Sequence, residues 1–217
     1  MSCLTEHNLS LAAKVEEGFR QVCGSLLKQA YDAVRDASEY DVSWDEDEFT
    51  REIVYHMDMI NEADFEYPLR VTWDEKGKTR SNMESDDHPN TAQRVDITLD
   101  RVRCSGTTEY SIECKRVSVD ESALVRKYWK NGVRRFVDAE YADRYSFGAM
   151  AAYVLQGDLD ANAKELQKRS DNYEKRMHLI QQWEFQYEQS GMKVYLTGHS
   201  RDGVEDIELD HHLLDFT

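Results

Sequence analysis

The sequence predicts an α/β fold, and three stretches carry that expectation. Residues 94–117 alternate apolar and polar side chains as a half-buried antiparallel hairpin requires, with Val95, Ile97 and Leu99 on one strand and Tyr110, Ile112 and Cys114 on the next. The period then changes to helical over Glu121–Tyr141, where Leu124, Val125, Tyr128, Trp129, Val133, Phe136 and Val137 form an apolar stripe. Phe147–Leu155 (FGAMAAYVL) follows, short and apolar throughout, as a strand covered on both faces must be.

The remaining elements follow in order. From Leu9 to Ser38 apolar residues recur at helical spacing, with Gly18 and Gly24 as weak points, so one long or broken helix is expected. A second helix starts after Ser43, where Asp45, Glu46, Asp47 and Glu48 suit the positive end of a helix dipole, and runs to Glu62 with Phe49, Ile53, Met57 and Ile60 inward. Pro68 opens a strand over Leu69–Trp73, stopped by a turn at Asp74–Lys78, and a polar loop spans Arg80–Asn90. The hairpin strands run over 94–103 and 107–117 around a turn at Cys104–Thr107. After Leu155, Asp158–Ser190 has helical spacing through Leu159, Leu166, Tyr173, Met177, Ile180 and Trp183. Met192–Thr197 and Val204–Leu209 close the chain as strands around a Ser200–Gly203 turn.

The 217 residues suffice for a single domain with a sizeable core. Hydrophobic residues at 40% and aromatics at 11% argue against disorder, and no apolar run approaches the roughly 18 residues of a membrane span. Cys3, Cys23, Cys104 and Cys114 form no CxxC pair, and the first residues lack the basic and apolar segments of a leader, so a cytoplasmic location is expected. The formal net charge is −16, yet residues 91–135 hold ten basic and six acidic side chains, a local charge of +4 in an acidic protein.

Within that basic segment Asp96 lies on one strand, and Glu113 and Lys115, two apart and so on one face, lie on the next. Carboxylates that converge repel unless a cation stands between them, and hard oxygen donors open to water suit Mg²⁺, with Mn²⁺ an alternative. A lysine beside them can orient water or stabilise charge developing on a phosphate. The set suits metal-assisted phosphodiester hydrolysis.

On Asp96 in RVDITLD and Glu113-Cys114-Lys115 in YSIECKRV, the chain resembles the PD-(D/E)xK nuclease superfamily, whose restriction-endonuclease-like core runs helix, three strands, helix, strand. The resemblance spans about residues 45–155. It implies a Mg²⁺-dependent nuclease with Asp96 and Glu113 as ligands, Lys115 positioning water, and a further carboxylate from the first core helix, Glu52 in preference to Glu48. DNA is the implied substrate, and restriction, repair or defence against mobile DNA the implied setting. Asp74-Glu75-Lys76 fits the bare pattern too, but in a turn with no amphipathic helix after it.

Around this set, Arg126, Lys130 and Arg134 fall on one helical stripe as candidate phosphate contacts, and His199, Arg201 and the pair His211–His212 are further candidates. His56, four after Glu52, could share its face, although packing is the commoner role of such a histidine. Trp129, Phe136 and Tyr128 are expected in the core. With so acidic a remainder, modest affinity for DNA is expected, with stable engagement through self-association or a second, more basic subunit. The competing expectation is a catalytically silent interaction subunit with the same fold. A small-molecule hydrolase ranks last, since no GxSxG, HExxH or phosphate loop is present.

Overall fold

The computed structural model describes residues 2–37, 40–64, 69–73, 95–101, 108–173 and 177–217, with the side chains of 2–13, 64, 171 and 172 excepted. The expected turns at Asp74–Lys78 and Cys104–Thr107, the loop Arg80–Asn90, the Asp74-Glu75-Lys76 copy, and Arg94 and Arg103 of the basic segment lie outside the described residues.

Helix α1 (Ser2–Ala37) is a single helix through Gly18 and Gly24. Each glycine costs about 1 kcal/mol of helix propensity, which the buried stripe Phe19, Cys23, Leu26, Leu27, Ala30, Tyr31 and Val34 outweighs. Helix α2 (Glu46–Asp64) opens on a reciprocal cap. The Glu48 N–H donates to Asp45 Oδ1 at 3.0 Å and the Asp45 N–H to Glu48 Oε2 at 2.8 Å, so the acidic run both caps the helix and complements its dipole.

Strands β1 (Leu69–Trp73), β2 (Ile97–Arg101) and β3 (Glu109–Ser118) form an antiparallel meander. A helical crossover leads to β4 (Phe147–Gln156), which pairs parallel to β3. The crossover is not the uniform amphipathic helix expected over Glu121–Tyr141. It consists of α3 (Ser122–Lys127), a π turn (Tyr128–Val133) and α4 (Arg134–Val137). Helix α5 (Leu159–Tyr173), then β5 (Leu179–Gln189), β6 (Met192–His199) and β7 (Ile207–Asp215) complete a seven-stranded mixed sheet in the order β1-β2-β3-β4-β7-β6-β5.

The helix expected over Asp158–Ser190 therefore stops at Tyr173, and its second half is an edge strand. Trp183, Phe185 and Tyr187 recur at period 2, and Ser190 and Gly191 take φ of 29° and 74° in a tight hairpin turn to β6.

The core has two sides. On one face of the sheet α1 and α2 cover Ile97, Leu99, Tyr110, Ile112, Cys114, Ala149, Ala151 and Tyr153. On the other, α3, the π turn, α4 and α5 cover Val117, Met150, Ala152, Val154, Leu209 and Leu213. Strand β3 is thus buried on both faces, and the polar face expected to meet solvent is roofed over, leaving Glu113 1% and Lys115 8% exposed. Among the described residues no helix is long and apolar enough to cross a membrane.

Candidate active site

The pairing of β2 with β3 ends at Ile97 opposite Ile112, so the next residues of β3 have an open edge on that side. Two carboxylates fill it. Asp96 Oδ2 accepts the Cys114 N–H at 2.7 Å, and Glu46 Oε2 accepts the Arg116 N–H at 3.3 Å. An unpaired strand N–H needs an acceptor when buried, and this need pins an acid from the start of β2 and one from the first turn of α2 beside the same segment.

Lys115 gathers the acids together. Its Nζ lies 2.7 Å from Glu113 Oε1, 2.9 Å from Glu46 Oε1 and 3.7 Å from Asp96 Oδ2, and it donates to the Cys114 carbonyl at 2.6 Å. Arg135, from α4, brings a guanidinium nitrogen within 3.6 Å of Glu113 Oε1 and hydrogen-bonds the Tyr141 hydroxyl. A cleft of about 350 Å³ opens over this group, with Asp45, Asp47, Arg116, Lys127 and Asn131 on its walls.

Burial, reinforced by the Asp96 charge, pushes the Glu113 carboxyl up to about 7, against the pull of Lys115 and Arg135. Burial also works against the Lys115 ammonium, but Glu113, Asp96 and Glu46 together outweigh it and hold the lysine charged. Glu113 Oε2 is buried and accepts no hydrogen bond. As the side chains stand, no group of three His, Cys, Asp or Glu residues has metal-holding geometry among the described residues. The donor chemistry nonetheless fits a hard divalent cation, since it offers carboxylate oxygens from three elements, one of them with its lone pairs unmet.

The structure thus brings Asp96, Glu113 and Lys115 together, and replaces the expected Glu52. That residue pairs with Arg51 at 3.3 Å and does not line the cleft. Six positions along a helix displace a side chain by about 120° around the axis and about 9 Å along it, so when Glu46 meets Lys115, Glu52 cannot. The Asp45–Glu48 run announces the helix start, but nothing local in sequence singles out the member that reaches the open edge of β3.

The basic stripe is displaced by one residue. Arg126, Lys130 and Arg134 are exposed, with Arg134 paired to Asp138, whereas Lys127, Asn131 and Arg135 line the cleft. The π turn, wider than an α turn, changes the register between the two ends of the crossover. A Cβ at Gly132 would collide with the Met150 side chain and stand 3.7 Å from Lys115 Cγ, so the turn packs its backbone against the stem of the central lysine.

His199, Arg201, His211 and His212 are all buried rather than set out on the surface. His199 is fully buried, with Nδ1 2.6 Å from the Met177 carbonyl and Nε2 2.8 Å from Thr197 Oγ1. The Arg201 guanidinium donates to the carbonyls of Glu205, Ala142 and Tyr145 at 2.6, 2.8 and 2.8 Å, tying the β6–β7 connection to a segment in which Ala142 has φ of 50°. His211 lies between Tyr128 Oη at 2.6 Å and Thr197 Oγ1 at 2.7 Å. His212 is 2% exposed on the opposite face of the sheet, toward α1, and His56 is half-buried with its ring against Tyr55. Tyr128, Trp129 and Phe136 are in the core.

No protein-family model, curated protein or solved structure matches the chain.

Proposed function

We propose that the protein is a metal-dependent nuclease of the PD-(D/E)xK kind, hydrolysing phosphodiester bonds, with DNA as the substrate. The observation that carries this reading is the convergence of Asp96, Glu113 and Glu46 on Lys115 at the floor of a cleft whose wall holds Lys127, Asn131 and Arg135. The order of elements, α2, three strands, a helical crossover and a parallel strand, supports the same reading at the level of fold.

A divalent cation held by Asp96, Glu113 and Glu46 would supply Lewis-acid charge at the phosphate. The side chains of the chain do the rest. Lys115, whose N–H donors are taken by Glu113, Glu46 and the Cys114 carbonyl, would have a donor free to orient a water once those carboxylates turned to the cation, and its charge offsets the negative charge that builds on the phosphoryl oxygens. Arg135 and Lys127 bind non-bridging oxygens from the wall of the cleft, and the planar guanidinium suits two of them at once. Arg126, Lys130 and Arg134, on the outer side of the crossover, extend this surface for neighbouring phosphates. With the rest of the protein acidic, engagement of a long duplex is weak for one copy and is strengthened by self-association or a more basic partner.

A second reading, a catalytically silent interaction subunit, is favoured by the way Lys115 already contacts all three carboxylates and offsets part of their charge without a metal. The experiment that separates the two incubates the purified protein with plasmid, linear duplex, single-stranded DNA and RNA, in Mg²⁺, Mn²⁺ or chelator. Cleavage that requires the metal and disappears in Asp96→Ala, Glu113→Ala and Lys115→Ala, with folding retained, supports the nuclease. Metal-independent cleavage, or wild-type cleavage by Glu113→Ala, refutes it.

A further inference from the structure

A second cleft, of about 340 Å³, opens on the opposite face of the sheet, between α1 and strands β5, β6 and β7. It shares no residue with the candidate active site. Its chemistry is set by a short chain of hydrogen bonds whose direction can be worked out. Asp210 is ion-paired to Arg20 at 2.9 Å, so its carboxylate accepts, and the Tyr110 hydroxyl at 2.7 Å donates to it. Having spent its only proton, Tyr110 Oη accepts from His212, and Nε2 at 3.3 Å is the ring nitrogen that carries the hydrogen. His212 Nδ1 is then an unprotonated acceptor, and it is buried with no partner. His212 lines the cleft with its Nδ1 buried, and a buried acceptor left unmet costs free energy until a donor reaches it.

The cleft also has the wrong charge for an anion. Among the described residues that line it Arg20 is the one cation, and this is taken up by Asp210 and by Glu208 at 2.6 Å, with Glu17 at 3.8 Å, leaving that lining net negative. Val194, Leu196 and the ring of Tyr187 supply an apolar side. A ligand that fits must donate hydrogen bonds, carry positive charge and bring a short hydrocarbon stem. We propose that this cleft binds a small aliphatic ammonium ion, its N–H donating to His212 Nδ1, its charge facing Glu17 and Glu208, and its methylenes lying on Tyr187 and Val194. The orphaned imidazole nitrogen at the end of the Asp210–Tyr110–His212 chain is the feature that carries the proposal. The proposal is independent of the nuclease reading.

Gly24 gives a test that does not endanger the fold. A Cβ there would sit 3.5 Å from His212 Cε1 and 3.9 Å from the Tyr187 hydroxyl, ordinary contact distances, so Gly24→Ala is accommodated, favours the helix and narrows the approach to the imidazole. The full-length protein, labelled with ¹⁵N in its histidines, is titrated with 1,4-diaminobutane, and the two ring nitrogens of His212 are followed by NMR with calorimetry in parallel. The expected result is a saturable one-to-one isotherm with a shift at Nδ1, weakened about tenfold or more in Gly24→Ala and in His212→Phe, each shown folded by circular dichroism. Equal affinity in wild type and Gly24→Ala overturns the proposal. So does a shift that sodium chloride reproduces at matched ionic strength, tighter binding of inorganic phosphate at His212, or no saturable change, the last meaning that water alone serves the nitrogen.

Discussion

Replacing Glu46 by Ala should do what replacing Glu52 does not, although both are glutamates of the same helix. Glu46 loses two interactions: the charged contact with Lys115 at 2.9 Å, between side chains 26% and 10% exposed, and the longer bond from the Arg116 N–H at 3.3 Å. A hydrogen bond between charged groups is worth about 1.5–3 kcal/mol, but Lys115 keeps Glu113 and Asp96, and removing one of three mutually repelling carboxylates returns part of the loss. The net destabilisation is therefore about 1–2 kcal/mol, which for a chain of this size lowers Tm by roughly 2–8 °C. Glu52→Ala removes only a pair with the exposed Arg51 and stays within about 0.5 kcal/mol. In the cleavage assay Glu46→Ala, which takes away one of the three carboxylates proposed to hold the cation, loses at least the roughly 10- to 100-fold that removing even an outer group around a metal costs, while Glu52→Ala keeps wild-type activity. Thermal and urea denaturation measure the first pair of numbers and plasmid cleavage in Mg²⁺ the second. If the two variants lost stability and activity equally, or Glu52→Ala lost more, the assignment of Glu46 to the open edge of β3 would fail.

Three other outcomes follow from the same geometry. Lys115→Met leaves Glu113, Asp96 and Glu46 without their shared cation and should cost about 3–5 kcal/mol by urea denaturation, with millimolar Mg²⁺ restoring more stability to the variant than to the wild type if the carboxylates hold the metal. His199, whose pKa burial lowers from 6.5 to about 4, makes stability fall with acid: from pH 6.5 down to about 4 the unfolded chain binds a proton that the native state refuses, a loss of up to about 3 kcal/mol that levels off below pH 4 and is absent from the difference curve of His199→Gln. Arg201→Met, which gives up bonds to three carbonyls, should lose about 3 kcal/mol of stability and leave the salt dependence of DNA binding unchanged, whereas a changed salt slope would restore Arg201 to the binding surface.

What the sequence makes legible is what local periodicity controls. The alternation around Ile112 and Cys114 places Glu113 and Lys115 on one face without any knowledge of the sheet, and the Asp45–Glu48 run marks a helix start because its cap is built from neighbours. Glu46 is illegible for the opposite reason. Its role depends on where β2 stops pairing with β3, a contact across many residues that leaves the Cys114 and Arg116 N–H groups to be met. The π turn is equally non-local, since Tyr128, which opens it, bonds to His211 eighty-three positions away. Strand β5 was hidden by a coincidence of spacing: Leu166, Tyr173, Met177 and Ile180 fit a helix, while the period-2 run Trp183, Phe185, Tyr187 before a Ser-Gly turn carries the strand signal.

Two buried polar groups on the same face of the sheet show how satisfaction separates structure from chemistry. From the Met177 carbonyl, which only accepts, the protons fall in one order: His199 Nδ1–H donates to it, His199 Nε2 accepts from Thr197, Thr197 Oγ1 accepts from His211 Nε2–H, and His211 Nδ1 accepts from Tyr128. The hydrogen-bonding capacity of both imidazoles is met, no charge is needed, and burial holds both histidines neutral. Such a chain fixes a packing arrangement, here the seat of the π turn. The Glu113 group differs in each respect. It sets three carboxylates against one lysine and a more distant arginine, leaves Glu113 Oε2 unmet, and opens to a cleft. Apolar residues of similar volume would often be neutral or more stable there by about 1–4 kcal/mol. A fold gains little stability from such a cluster, and the reading proposed above, a site held ready for a cation and a phosphate, accounts for it where packing alone does not.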